Sequence, residues 1–217
     1  YLNRTPATAS NRKTWTWSGW IKRTAVATSF TIFNAGVTST RFTGIQFLTS
    51  GVIEVFHFAS GAYQFQVQTT AVFRDPSAWY HLVLSFDTTQ ATAANRVRIY
   101  INNAELTAFG VANYPTLNAD YSVNATEAHL IGASAYNGTE LANCYMAEVN
   151  FVDCPSLVGS TTNGSTTVTL SSGSTANIQV GWNIGGTNIP SGATVSSITN
   201  STTFVISAAA TGTGSSI

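Results

Sequence analysis

Between Asp75 and Asp87 the chain reads Asp-Pro-Ser-Ala-Trp-Tyr-His-Leu-Val-Leu-Ser-Phe-Asp, with apolar residues at every second position. That period places Tyr80, Leu82, Leu84 and Phe86 on one face and Trp79, His81, Val83 and Ser85 on the other, the pattern of a central strand. Asp75-Pro76-Ser77 supplies a turn before it, since Pro76 fixes its own φ and Asp75 can bond the backbone two residues on. A polar turn leads to a second strand, Arg96 to Ile101, in which Val97, Ile99 and Ile101 alternate with Arg96, Arg98 and Tyr100. Asn102-Asn103 then closes a hairpin, because Asn tolerates the positive φ that a two-residue turn requires. A chain built around this unit must form a sheet with one buried side.

The same period recurs on both sides of it. Trp15, Trp17, Gly19 and Ile21 share a face opposite Thr14, Thr16, Ser18, Trp20 and Lys22, and three Trp in six residues require at least two in the core. Phe30 to Asn34 predicts a short strand and Gly36 to Thr40 a turn. Ile45 to Leu48 and Val52 to Phe58 predict a hairpin about Thr49-Ser50-Gly51, and Tyr63 to Gln68 alternates without a break. From Leu106 to Glu127 the pattern weakens into a long loop, after which His129 to Gly132 resumes a strand and Tyr136-Asn137-Gly138-Thr139 turns it. In the last strand before Cys154, Tyr145, Ala147, Val149 and Phe151 fall opposite Met146, Glu148, Asn150 and Val152. No segment keeps a helical period with caps, so the fold class is all-β.

Trp-Tyr-His-Leu-Val-Leu with Asp87, then Arg96 to Asn102 and the hairpin, resembles laminin-G-like, concanavalin A-like lectin/glucanase domains, in particular those of tailed-phage virion proteins. Tyr1 to Thr5, Trp15 to Lys22 and Tyr145 to Asp153 extend the resemblance over residues 1 to 153. It implies a concanavalin A-like jelly-roll sandwich for residues 1–154. A fold does not by itself imply a ligand.

At Cys154-Pro155 the composition changes. Residues 155–217 contain no Asp, Glu, Lys, Arg or His, and Trp182 and Phe204 are their only aromatics. β-branched runs at Thr166 to Leu170, Ile178 to Trp182, Ala193 to Ile198 and Thr203 to Ile206, separated by Gly- or Asn-rich turns, predict a small β module here. The run from Gly185 to Thr194 resembles small modules repeated in phage and bacterial surface proteins. The chain starts at Tyr1 without a Met and stops after Gly-Thr-Gly-Ser-Ser-Ile, so a longer polypeptide is expected at both ends.

With 8% of residues charged against 44% apolar, solubility must rest on hydroxyl and amide side chains. The formal net charge is +0, which gives no reason to expect nucleic acid as a partner, and no apolar run reaches the length of a membrane-spanning helix, so no membrane insertion is expected. All nine Lys and Arg lie between Arg4 and Arg98, a bias read as solvated strand ends. Cys144 and Cys154 flank one predicted strand; ten extended residues span roughly 33 Å, whereas a disulfide needs Cα atoms within about 7 Å, so two free thiols are expected.

The sharpest chemical hypothesis is the glucanase branch that the resemblance brings in. Retaining glycosidases need two carboxylates about 5 Å apart, which the glucanases of this fold supply as Glu-x-Asp-x-Glu on one strand face. The corresponding face here gives Glu148, Asn150 and Val152, with Asp153 opposite unless a bulge intervenes. No catalytic residue is therefore assigned. His57, His81 and His129 each sit within a strand pattern without a second ligand at zinc spacing. Asn118 with Asp120, or Asn137 with Glu140, offers too few oxygens for calcium, so no metal or other cofactor is assigned.

Sugars stack on exposed aromatic faces and bond to amides and hydroxyls. Tyr114, Tyr121 and Tyr136 lie in predicted loops, with Asn118 and Asn137 as polar neighbours, and these five are the glycan-binding candidates. The resemblance implies a non-enzymatic structural or adhesive component of a virion surface, such as a capsid decoration, head-fibre or tail-fibre protein. Its expected partners are other virion proteins, further copies of itself in a homo-oligomer, with threefold symmetry implied by fibrous phage appendages, and host surface carbohydrate. A bacterial cell-surface glycan-binding adhesin is the second reading and a secreted glycanase the third.

Overall fold

A computed structural model describes residues 1–25, 28–37, 40–134, 141–153, 158–172, 175 and 178–214. The chain forms two compact units, Tyr1–Cys154 and Pro155–Ile217.

The first unit contains two antiparallel sheets. The smaller has five strands in the order β12 (Cys144–Asp153), β2 (Thr14–Arg23), β7 (Tyr80–Asp87), β8 (Val97–Ile101) and β9 (Ala104–Leu106). The larger has seven, ordered β1 (Leu2–Arg4), β11 (Ala128–Ile131), β3 (Phe30–Gly36), β4 (Arg41–Phe47), β5 (Ile53–Ala59), β6 (Ala62–Thr69) and β10 (Phe109–Asn113). Their inner faces meet in one core. Trp15, Trp17 and Ile21 of β2, Leu82, Leu84 and Phe86 of β7 and Val97, Ile99 and Ile101 of β8 face Ile45, Phe47, Ile53, Val55, Phe65 and Val67 of the larger sheet. The Trp15 ring stacks on Phe86 at 4.7 Å and on Phe151 at 5.8 Å, pairs each worth about 0.5–1.5 kcal/mol beyond the area they bury.

The turns follow the side chains that permit them. Asn102 and Asn103, at φ of 49° and 70°, link β8 to β9 as the sequence predicts, and Ser60-Gly61, at 53° and 79°, links β5 to β6. The stretch from Leu106 to Glu127 is not one long loop: β10 lies within it and pairs with β6 at the sheet edge. Paired on one side only and largely exposed, β10 carries little of the alternation by which buried strands are recognised.

The last strand of the unit also departs from strict alternation. The β12–β2 register shifts between Ala147 and Asn150, where Glu148 takes a φ of 50°. This bulge reverses the facing of the first half of β12. Tyr145 and Ala147, opposite Lys22 and Trp20, point outward, while Met146 pairs with Ile21 and packs against the core. Beyond the bulge Val149 and Phe151 face inward as expected.

Both faces of the larger sheet's central strands are buried. All seven residues of β3 and five of the seven in β5 are removed from solvent, including outward-facing Asn34, Glu54 and Phe56. Gly44 makes this possible: a Cβ there would meet the Phe56 ring at 2.7 Å, so only glycine lets that ring lie down across β4. Glu54 is 1% exposed and its carboxylate accepts hydrogen bonds from the side-chain amides of Gln66 (2.6 Å), Gln68 (2.7 Å) and Gln46.

The second unit is a four-stranded antiparallel sheet ordered β13 (Val158–Thr161), β14 (Thr167–Ser172), β16 (Thr203–Ile206) and β15 (Val195–Asn200). Val168, Leu170, Ile178, Ile189, Val195, Phe204 and Ile206 form its core. The predicted strand from Ile178 to Trp182 is a turn region instead. Gly181 adopts a φ of 90° and Val180 and Trp182 are exposed, so Ile178 alone of that run anchors to the core.

Two histidines are held neutral inside the first unit. Thr43 Oγ1 lies 2.8 Å from His57 Nδ1 and accepts the backbone N–H of Ser122, leaving its own proton for the ring. Burial, with Arg41 and Arg12 nearby, lowers the His57 pKa to about 4. His129 Nε2 accepts the Asn124 backbone N–H at 2.8 Å, and burial lowers its pKa too. A histidine whose folded pKa lies below 6.5 contributes stability that is complete above pH 6.5 and is lost as pH falls toward the folded value. The urea midpoint is therefore expected to fall between pH 7 and pH 4.5, and to fall less in His57→Gln; identical profiles for the two proteins would refute this account of His57. Residues 1–154, with a core of their own, are expected to unfold alone in one cooperative thermal transition; its absence would mean that the units share a core.

Candidate functional site

The loop residues proposed from sequence separate in the structure. Tyr114 is half-buried and meets Phe109 edge-to-face at 6.5 Å. Asn118 is exposed at a φ of 58°, its N–H donating to the Thr88 carbonyl at 2.8 Å. Tyr121 is not a surface residue. It is 6% exposed, with its ring 4.9 Å from Phe65 and 4.8 Å from His57, and its hydroxyl accepts the Thr116 N–H. A loop position does not make a tyrosine accessible when the loop folds back over the open end of a sandwich. Tyr136, Asn137 and Glu140 lie outside the described residues.

The bulge in β12 does not assemble a carboxylate pair. Glu148 sits on it, exposed, its own carbonyl accepting the Asn150 side-chain amide at 2.7 Å. Asp153 accepts hydrogen bonds from Ser10 Oγ (2.8 Å) and Asn124 Nδ2 (3.2 Å), which ties the N-terminal segment and the loop before β11 to the end of β12. Among the described residues no three of His, Cys, Asp and Glu gather as a metal-ligand group. Cys144 carries a free thiol that burial raises to a pKa of about 11, so it stays protonated; Cys154 lies outside the described residues.

One accessible aromatic surface lies on the outward face of the five-stranded sheet. Alternation along β2 turns Trp20 away from the core occupied by Trp15 and Trp17, and it remains 36% exposed. Its cross-strand neighbours are His81 on β7 and Ala147 on β12. The His81 ring packs against the indole at 4.9 Å, while Ala147 is too small to cover its other flank. Tyr145, 62% exposed, stands opposite Lys22, and Trp79, 41% exposed, precedes the Tyr80 that pairs with Ile21. Neighbours across a sheet are about 5 Å apart, so Lys22 and Tyr145 lie beside the Trp20–His81 pair, with Trp79 in the segment that enters β7. The next row, Asn150, Ser18, Val83, Tyr100 and Glu105, supplies an amide, hydroxyls and a carboxylate. An exposed Arg98–Glu105 ion pair at 3.8 Å borders it and adds little stability.

This arrangement offers flat apolar ring faces flanked by hydrogen-bonding groups on a rigid floor, which suits the stacking of polyhydroxylated rings. On the outer face of the larger sheet, amides cover Glu54, and Phe56 packs against Phe42 and the 45%-exposed Tyr63. Sequence alternation already placed Trp20 and His81 on the polar face of their strands, and an outward Trp beside the core Trp pair is the signal that could have identified the platform. Tyr145 was not recognisable in the same way, because only the bulge turns it outward.

No curated protein matches the sequence. Among solved structures, the chain is similar to a heptameric SAP-like pentraxin from Limulus polyphemus, at 12% identity and a TM-score of 0.44 over 69% of this chain and 68% of that one. It is also similar to domain 4 of the extracellular arabinanase AbnA from Geobacillus stearothermophilus in complex with arabinotriose, at 16% identity, a TM-score of 0.47 and coverage of 69% and 64%. A third is the CBM40 of a Ruminococcus gnavus sialidase bound to α2,3-sialyllactose, at 9% identity, a TM-score of 0.45 and coverage of 69% and 89%. Residues 2–160, most of the chain and the whole two-sheet unit, match a family model, and the chain belongs to the concanavalin A-like lectin/glucanases superfamily.

Proposed function

We propose that this protein is a non-enzymatic, glycan-binding structural component of a virion surface, a capsid decoration, head-fibre or tail-fibre protein. It assembles as a homo-oligomer with other virion proteins and engages host surface carbohydrate through the outward face of the five-stranded sheet. The observation that carries the binding role is the set of accessible rings Tyr145 and Trp20 with His81, in sheet register with Lys22, Ser18 and Asn150, and the exposed Trp79 just before β7. The virion assignment rests on the tailed-phage resemblance of the Trp-Tyr-His-Leu-Val-Leu and Arg96–Asn102 segments, together with a hydroxyl-rich chain that is 8% charged.

Within a superfamily of lectins and glucanases, the β12 geometry favours the lectin side. A retaining mechanism needs a second carboxylate about 5 Å from the first, and Asp153 is engaged with Ser10 and Asn124. The purified protein is expected to release no reducing ends from β-glucans, laminarin or agarose at any pH. Hydrolysis that Glu148→Gln abolishes would sink the non-enzymatic reading.

Binding is tested on an array of bacterial surface polysaccharides and followed by calorimetry. Trp20→Ala and Tyr145→Ala, both at exposed positions, are each expected to weaken retention about tenfold, a loss of roughly 1.4 kcal/mol, with little change in Tm. Wild-type affinity in both variants would place the ligand elsewhere and refute the platform. Light scattering on the intact chain and a map of the particle test the assembly: a stable monomer absent from the particle would overturn the virion role.

A further inference from the structure

A cleft opens between the two sheets of the first unit, where the larger sheet outreaches the smaller. Phe151, on the edge strand β12, packs its ring on Phe33 of β3 at 5.7 Å. Past β3 the seven-stranded sheet continues through β11 and β1. The pairings Leu2↔Ile131 and Arg4↔His129 turn these four side chains to the inner side, because Ile131 is itself paired with the core residue Phe33. Leu2 faces inward and is nevertheless 70% exposed, so this part of the inner surface is left open. Leu2, Pro6, Phe33, Ile131 and Phe151 wall a cleft of about 300 Å³, and Arg4, Asn124 and His129 are among its polar lining.

The polar groups decide what such a cleft can hold. His129 has both nitrogens engaged, Nε2 by the Asn124 N–H and Nδ1 by the Glu127 carbonyl, each at 2.8 Å. Burial and the Arg4 charge lower its pKa against the pull of Glu127, so the ring is neutral at pH 7. The Asn124 side-chain amide donates to the Asn11 carbonyl and to Asp153. Arg4 differs: it is exposed and makes no ion pair or hydrogen bond among the described residues. A guanidinium beside apolar walls complements a carboxylate, whose two oxygens match its paired donors. With Asp153 hydrogen-bonded to Asn124, a single negative charge is favoured over a phosphate dianion. The volume lies at the lower end of small-molecule sites, with room for one ring or a short alkyl chain. We propose that this cleft binds a small monocarboxylic acid, its apolar body against Leu2, Ile131 and Phe151 and its carboxylate paired with Arg4. The site is separate from the Trp20 platform and does not depend on the glycan reading.

The test is saturation-transfer difference NMR, run as a titration on the whole chain at pH 7. The probes are benzoate, phenylacetate and hexanoate, each with its primary amide as the neutral counterpart. At least one acid is expected to bind in the millimolar range and about tenfold more tightly than its amide. Arg4→Gln is expected to weaken the acid to the level of the amide, and Arg4→Lys to restore part of the difference. Leu2→Ala should weaken acid and amide alike, about threefold. Both side chains are exposed, so these variants are expected to keep the wild-type Tm. Lys22→Gln and Trp20→Ala, on the outward face of the other sheet, are expected to leave acid binding unchanged. An inward-pointing charge on an edge strand also discourages strand addition; were that the whole role of Arg4, no acid would bind, which would overturn the proposal. Acid binding that Arg4→Gln leaves intact, or that Lys22→Gln or Trp20→Ala removes, would place the anion elsewhere and overturn it as well. None of these results bears on polysaccharide retention by the platform.

Discussion

The register of β2 between β7 and β12 is the constraint on which the two-sheet unit depends. Because side chains alternate along a strand, a slip of one residue would expose Trp15, Trp17 and Ile21 and bury Thr16, Ser18 and Lys22. The cost of exposing two indoles, at roughly 25 cal/mol per Å² of apolar surface, far exceeds what any single hydrogen bond could restore. The ladder from Thr14↔Asp87 to Ile21↔Tyr80 is unbroken, and the stacking of Trp15 on Phe86 follows from it. So does the outward position of Trp20. The aromatic platform is thus a by-product of core formation: the alternation that fills the sandwich presents the third Trp to solvent beside His81.

The second partner of β2 is less regular, and the irregularity has chemical consequences. At Glu148 the β12 backbone enters the left-handed region at a φ of 50°, which a non-glycine residue adopts at a cost of order 1 kcal/mol. The extra residue turns Met146 inward and Tyr145 outward, so the same bulge seals the core and adds a ring to the platform. It also lifts Glu148 out of the regular pleat from which a fixed acid or nucleophile would be aimed. A strand that supplies catalytic carboxylates must hold them in one register, and β12 instead uses Asp153 to fasten the N-terminal segment through Ser10.

The strands that bury one whole face were legible in the sequence. β2, β6, β7 and β8 carry large apolar residues at most inward positions, and the Asn102-Asn103 turn announces itself by residue type. Two of the strands paired on one side only, β10 and β13, were not. β10 and β13 have no obligatory apolar face, and the run from Ile178 to Trp182 has strand-like composition while its glycine bends the chain. Of the sugar-site candidates, Tyr114 and Asn118 remain at or near the surface, whereas Tyr121 completes the core with its ring on Phe65 and Phe86. Polarity of the surrounding loop suggested exposure for Tyr121, but a tyrosine can be buried at little cost once its hydroxyl finds a partner, here the Thr116 N–H.

Two buried carboxylates on the larger sheet show how different local solutions lead to different roles. Among the described residues Glu54 has no cationic partner, yet three glutamine amides from β4 and β6 converge on its two oxygens. Cross-strand register explains the convergence: Gln46 and Gln68 sit directly opposite Glu54, and Gln66 lies two pairs further along, on the same face. With its acceptors filled, Glu54 fixes the orientation of those amides. Glu127 has a full positive charge beside it, while its Oε2 is buried without a hydrogen-bond partner among the described residues. Charge compensation and hydrogen-bond saturation are separate requirements. Glu54 meets the second without the first, whereas Glu127 meets the first without the second.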